Sequence, residues 1–332
     1  MKKIAYIALA VVIALSVAFM LGPQPPKPYL DPTPISISIP LDSLDGWIAH
    51  RESAFKTLKA NNEAKIEWYN NSVSVTEYAV VYLHGFTASS EEGNPVHRAF
   101  AERYGCNMYL PRLYGHGLDT TEPLVDLTPE NYLKSAKEAV AVGKKIGQKV
   151  ILMCTSTGGT LGLYLAANDS EIDAVICYSP NIDIFDPTSQ VLTKPWGVQL
   201  ARMIMGSDYR QYEAPKEFKK YWQTKYRLEG LVSVRSLIDH TMNEKTFSKI
   251  NQPIFVGGYF KSETAQDSVV SIEAMRLMMP QLGTSDAQKQ MVEFPVGAHV
   301  LTNPIRNPDV ESVIEATIQF AEEFLELKQI IH

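Results

Sequence analysis

Short apolar runs recur along this chain, and between them hydrophobic residues fall three and four positions apart. EYAVVYL at 77–83, NMYL at 107–110, KVILM at 149–153, AVICY at 174–178, PIFVG at 253–257 and QMVEF at 290–294 read as strands. A weaker strand is expected at 64–68. Helical spacing occupies 47–59, 95–104, 129–146, 158–167 and 309–327. Thr128 stands where a helix N-cap belongs, with Pro129 in the first turn. The strands are continuously apolar rather than alternating, so they are expected to be buried on both faces. Alternating with helices, they predict an α/β fold: a mostly parallel central sheet with helices on both faces.

Three stretches break this rhythm. Residues 185–251 hold helical pieces at 196–205 and 215–226 but no convincing strand. The interval is too long for a loop, so it reads as a small helical cap inserted over the C-terminal edge of the sheet, where ligands bind in such folds. The core is then 35–184 and 252–332. The cap carries eleven Lys or Arg against seven Asp or Glu, read as solvated helix faces. The second stretch is 1–22, where Lys2 and Lys3 precede an uncharged run at 4–21. It predicts either a membrane anchor held by the two lysines, or a signal peptide cleaved after Ser16-Val17-Ala18. Both place the folded part outside the cytoplasm. The third is PQPPKPYLDPTP at 23–34, whose prolines exclude helix and central strand and predict an extended linker acting as a stiff spacer.

Composition narrows the function. The chain has 332 residues, 45% hydrophobic and 20% charged, with a net charge of −6. No basic tract is present, so a nucleic-acid partner is not expected. Cys106, Cys154 and Cys177 are well spaced in apolar runs and read as reduced core residues, neither a disulfide framework nor a metal cluster.

The chemistry gathers at CTSTGG, 154–159, where a strand gives way to a helix. A serine at such a turn is exposed at the sheet edge, and small residues two positions either side let the turn pack. Ser156 is therefore a candidate nucleophile, although Cys154 stands where a glycine is usual. The following helix points free amides at the turn, so the Thr157 amide is a candidate oxyanion donor. The loop LHGFT at 83–87 offers a second at Phe86. A serine needs a base. Of seven histidines, His299 in PVGAHVL follows the last strand and returns to the same edge. His84 and His116 read as loop-orienting, His50, His97 and His240 as helical, and His332 as tail. The acid that fixes the base's tautomer is expected after the strand at 253–257. Asp267, ahead of a Val-Val pair, is the first candidate and Glu263 the alternative.

The stretches VVYLHGFTASSEE, NMYLPRLYGHG, MCTSTGG, DSVV and GAH resemble the α/β-hydrolase superfamily, in particular its bacterial carboxylesterase and monoacylglycerol-lipase-like group. The resemblance spans about 45–328. It implies Ser156 as nucleophile, Asp267 as acid, His299 as base, Phe86 and Thr157 as oxyanion amides, and a cap that shapes the acyl pocket. Asp267 lies nine residues beyond Gly258, farther than in such relatives, which keeps Glu263 open. The expected reaction is hydrolysis of a small-molecule ester with a short to medium acyl chain, with no metal or organic cofactor. Trp196, Leu200, Met203, Ile204 and Met205 are expected to wall the acyl site or to bury the cap against the sheet. An amidase, a peptidase or an acyltransferase would use the same triad. A membrane-tethered binding protein without activity is the alternative class.

Overall fold

The computed structural model describes residues 2–330. Met1, Ile331 and His332 lie outside the described residues, at the outer ends of the expected anchor and core. The strands are β1 (Lys65–Glu67), β2 (Thr76–Leu83), β3 (Asn107–Leu110), β4 (Gly147–Thr155), β5 (Ile172–Tyr178), β6 (Tyr209–Gln211), β7 (Lys225–Arg227), β8 (Ile254–Ser262), β9 (Ala265–Gln266) and β10 (Lys289–Phe294). The helices are α1 (Lys2–Met20), α2 (Leu44–Ser53), α3 (Val96–Tyr104), α4 (Pro129–Ile146), α5 (Thr157–Ala166), α6 (Gly197–Met205), α7 (Lys216–Tyr221), α8 (Leu228–Thr241), α9 (Glu244–Phe247), α10 (Ile272–Met278) and α11 (Val310–Phe324).

The central sheet runs β1-β3-β2-β4-β5-β8-β10, with β9 folded back onto β8. Only β1 and β9 are antiparallel to their neighbours; the other pairs are parallel. The continuous apolar strands follow from burial on both faces. In β2, Val80 and Tyr82 join one core with Val96 and Phe100 of α3 and Phe320 of α11. Ala79, Val81 and Leu83 face the other way, into a core with Tyr132 and Ala136 of α4 and Leu161 of α5. Leu83, Cys154, Cys177 and Val256 lie side by side across four parallel strands. The loops leaving β2, β4, β5 and β8 therefore emerge along one edge.

The Thr128 cap forms: its hydroxyl accepts from the Asn131 amide at 3.2 Å, and Asn131 Oδ1 accepts from the Thr128 amide at 2.9 Å. Three elements depart most from the sequence reading. The helix expected at 47–59 is α2, which ends at Ser53 because the chain then turns, with Phe55 donating to Glu52 O and Leu58 to Phe55 O. The helical piece at 215–226 stops at Tyr221, where Trp222 becomes extended, and its tail forms β7, paired with β6 in a two-stranded ribbon. The strand expected at 253–257 continues to Ser262 and reverses into β9.

Residues 23–34 do not stand away from the body. Tyr29 N–H donates to Glu130 Oε1 at 2.9 Å, Lys137 Nζ to Asp31 O at 3.1 Å, and Tyr164 hydroxyl to Leu30 O at 3.0 Å. Leu30, Ile37, Ile39 and Leu41 pack on the core. The segment is a strap along α4 and α5. It can dispense with secondary structure because side chains of those helices meet its backbone polar groups.

Candidate active site

β4 delivers Ser156 on a sharp turn. Its backbone sits at φ 54, ψ −120, a region that a non-glycine residue occupies only under constraint. The constraint is visible. The Ser156 amide donates to Tyr178 O at 3.0 Å, and Ser156 O accepts from Gly159 at 2.8 Å and Asn181 at 2.9 Å. Gly158 is required by contact, since a Cβ there would stand 1.9 Å from Leu83 O. Cys154 in place of glycine is accommodated one helical layer down. A Cβ on Gly162 would meet Cys154 Sγ at 2.5 Å, so the thiol occupies space that Gly162 leaves empty.

The structure brings Ser156, His299 and Asp267 together. Ser156 Oγ lies 2.9 Å from His299 Nε2, and His299 Nδ1 lies 2.7 Å from Asp267 Oδ2. The other carboxylate oxygen, Oδ1, accepts from the Val269 and Val270 amides at 2.8 and 3.1 Å. An ionised Asp267 thus accepts from Nδ1–H, leaving Nε2 free to accept from the serine hydroxyl. Burial alone would raise the Asp267 pKa, but the His299 charge, its hydrogen bond and the two amides outweigh this and hold the carboxyl below the ordinary carboxylate value. Burial would likewise lower the His299 pKa; the Asp267 charge and hydrogen bond outweigh it, and the imidazole is raised above its ordinary value.

The long interval before Asp267 is taken up by the β8–β9 hairpin, which goes out and returns, so that the Asp267 amide donates to Tyr259 O at 2.9 Å. Asp267 therefore stands beside the strand as if the excursion were absent. Glu263 lies at the exposed tip of that hairpin.

The loop after β2 turns tightly, with Ala88 N–H donating to Gly85 O at 3.2 Å and Thr87 at φ 70. His84 fixes it. Its Nε2 accepts from the Leu113 amide at 3.1 Å, so Nδ1 carries the proton and donates to Gly85 O at 3.0 Å. Burial, with His116 nearby, holds the His84 pKa well below its ordinary value, so the ring is neutral. Among the described residues, neither the Phe86 nor the Thr157 amide has a protein acceptor. The Phe86 ring stands edge-on to Tyr226 at 5.1 Å and against Gly230.

Sequence reasoning missed Glu92. It is buried, with 2% exposure, and its Oε2 accepts from the Gly85 amide at 2.6 Å. Trp222 Nε1 approaches Oε1 at 3.4 Å, and Thr302 Oγ1 donates to the Glu92 carbonyl at 2.7 Å. The residue ties together the Phe86 loop, the 185–251 segment and the His299 loop. Burial raises its pKa to about 7, against the opposing pull of the Gly85 amide and the His299 charge. The stretch VVYLHGFTASSEE ends on it, but nothing in the polar run ASSEEGN marks which of its side chains is buried. The expected wall on α6 is also different: Met203 and Ile204 are 72% and 81% exposed, so they neither line the site nor bury the cap. A cavity of about 930 Å³ between α2, the 109–127 loop and α4 has none of Ser156, Asp267 and His299 in its lining.

The alpha/beta hydrolase family model matches residues 80–308. A thermostable monoacylglycerol lipase from Bacillus sp. (strain H-257) is 26% identical over 243 residues, covering 73% of this chain and 89% of its own. In fold, the chain resembles a structure reported for the metagenome-derived lipolytic enzymes LipS and LipT, with TM-score 0.60, 17% identity, and 79% and 98% of the two chains covered. It also resembles the monoacylglycerol lipase of Paleococcus ferrophilus, with TM-score 0.57, 15% identity, and 78% and 98% covered. With Est1E from Butyrivibrio proteoclasticus bound to ferulic acid the values are 0.53, 20%, 80% and 95%. The chain belongs to the alpha/beta hydrolase family and is related to its bacterial carboxylesterase- and monoacylglycerol-lipase-like enzymes.

Proposed function

We propose that the protein is a serine hydrolase that cleaves carboxylic esters of short to medium acyl chains, with Ser156 as nucleophile, His299 as base and Asp267 as its orienting acid. The observation that carries this reading is the unbroken chain from Ser156 Oγ to His299 Nε2 at 2.9 Å and from His299 Nδ1 to Asp267 Oδ2 at 2.7 Å. In this reading Ser156 Oγ attacks the ester carbonyl as Nε2 takes its proton. The oxyanion settles on the Phe86 and Thr157 amides, which have no other acceptor among the described residues. Each such donor contributes about 3 kcal/mol in the transition state. Nε2 then returns the proton to the leaving alcohol. A water molecule, deprotonated by the same nitrogen, attacks the acyl-serine, and Ser156 departs with the proton. Residues 185–251 act as the cap, with Tyr226 and Trp222 on its site-facing side.

α1 is long and apolar enough to cross a membrane. We read it as an uncleaved anchor that holds the folded part outside the cytoplasm.

The test is hydrolysis of p-nitrophenyl esters from two to twelve carbons by the full chain and by Ser156→Ala. The reading expects a maximum at short or medium length and a loss of roughly 10⁴-fold or more in the variant. Undiminished hydrolysis by Ser156→Ala would overturn it.

A further inference from the structure

α1 ends against the 185–251 segment. The Trp196 indole N–H donates to Ala18 O at 3.1 Å in the last turn of α1, and the Trp196 amide donates to Pro23 O at 2.8 Å. The ring lies directly on Gly22, where a Cβ would stand 2.0 Å from Nε1. Trp196 is also the residue from which α6 starts, held at φ 65. The end of the apolar helix and the start of α6 are thus one junction.

The strap prevents that junction from drifting. Beyond Pro23 the chain is bonded to α4 and α5 through Tyr29, Leu30 and Asp31, and by Ile37 it is packed on the core. A free proline spacer would let the body tumble; a strap bonded along its length sets its orientation relative to α1.

Beside this junction lies a run of exposed apolar side chains: Val191 on the 3-10 helix Pro187–Thr193, Trp196, and Met203, Ile204 and Met205 on α6. Lys194, two residues before Trp196, and Lys27, on the strap, are also exposed. Contiguous exposed apolar side chains on a folded protein mark a contact surface. The last turn of α6, which turns Met203, Ile204 and Met205 outward, next to a helix able to span a bilayer, fits the lipid interface. Among the described residues, none in the Lys3–Met20 window of α1 is buried, so their apolar surface is also uncovered by the protein.

We propose that the outer face of α6, with Val191 and Trp196, is a membrane-surface contact that dips into the leaflet from which α1 emerges, and that the 23–41 strap holds it there. The occupant is a phospholipid bilayer. This rests on α1 being retained as an anchor, and its consequence is that the proposed esterase site is held beside a lipid surface.

The test uses the full chain reconstituted in phosphatidylcholine vesicles. An environment-sensitive fluorophore is placed at Ile204→Cys, and at Gln319→Cys on α11, across the sheet, as control; the three native cysteines are buried. The expected result is blue-shifted emission at 204 with several-fold stronger quenching by brominated lipid than at 319. Adding Trp196→Ala should reduce that quenching at least twofold while the protein still sediments with the vesicles. Equal, water-like emission at both labels in sedimenting protein would overturn the surface contact. Quenching at 204 unaffected by Trp196→Ala would overturn the clamp. Protein that does not sediment would overturn the anchor and this inference with it. Hydrolysis of a soluble short ester by the same samples reports separately on the esterase reading.

Discussion

At the scale of single residues, the candidate chemistry depends on which groups hold protons. His299 must be neutral to accept from Ser156, and its pKa is raised above the ordinary 6.5. kcat/KM is therefore expected to rise with pH along a limb centred above 6.5, measured with a soluble ester. Asp267→Asn removes the main charge that raises the imidazole, so it should lower kcat by roughly 10⁴-fold and move the limb to lower pH. Glu263→Gln, at the hairpin tip, should leave both unchanged. Glu92 makes a separate prediction. Its acceptor for the Gly85 amide is retained in Glu92→Gln and lost in Glu92→Ala. The first should keep kcat within about tenfold, and the second should lose up to about 100-fold through displacement of the Phe86 amide. The sign for stability follows from the raised pKa, about 7 folded against 4.5 unperturbed. The folded state binds the extra proton between these values, so Glu92 lowers stability as pH rises through that window. The wild-type Tm should fall from pH 5 to pH 8 relative to Glu92→Gln, which removes the titrating group. His84, His97 and His116, all depressed by burial and not by Glu92, cancel in the difference. His299, which the Glu92 charge helps to raise, does not cancel, but its stabilisation is likewise lost as pH rises and adds with the same sign.

At the scale of elements, the turn from β4 to α5 is kept by complementary sizes. Gly162→Ala puts a methyl 2.5 Å from Cys154 Sγ and should cost about 1–3 kcal/mol by overpacking. Cys154→Gly combined with Gly162→Ala should recover much of that loss, a coupling readable in a double-mutant cycle of thermal melts. If the two substitutions simply added, the compensation would be absent. The sequence made β4, α5 and the other parallel elements legible because burial on both faces leaves an apolar run with no polar gaps. It did not reveal the full length of β8. Past Gly258 that strand rises toward the surface, with Tyr259 and Phe260 half-buried against the cores and Lys261 and Ser262 exposed, so the apolar signal weakens before the hydrogen bonding ends. The ribbon of β6 and β7 was illegible for the same reason, being three residues a side and largely solvated. The long interval before Asp267 is unusual in sequence and ordinary in space, because the β8–β9 hairpin returns the chain to Tyr259.

Across the whole molecule, the residues that meet at Ser156 come from loops after β2, β4, the β8–β9 hairpin and β10, and their order along the chain is legible because parallel strands share an edge. What the sequence could not convey were contacts made between distant segments by polar groups. Glu92 joins three loops from inside a polar run, and residues 23–34 read as a spacer although Glu130, Lys137 and Tyr164 hold them to the body. The chemistry proposed at this edge depends on Ser156 being the activated nucleophile. It is tested most directly by treating the full chain with a fluorophosphonate and mapping the adduct by mass spectrometry. One adduct is predicted, on the peptide carrying Ser156, formed at least a thousandfold more slowly in His299→Ala. An adduct on another serine, or an unchanged rate in that variant, would rule out Ser156 as a nucleophile activated by His299.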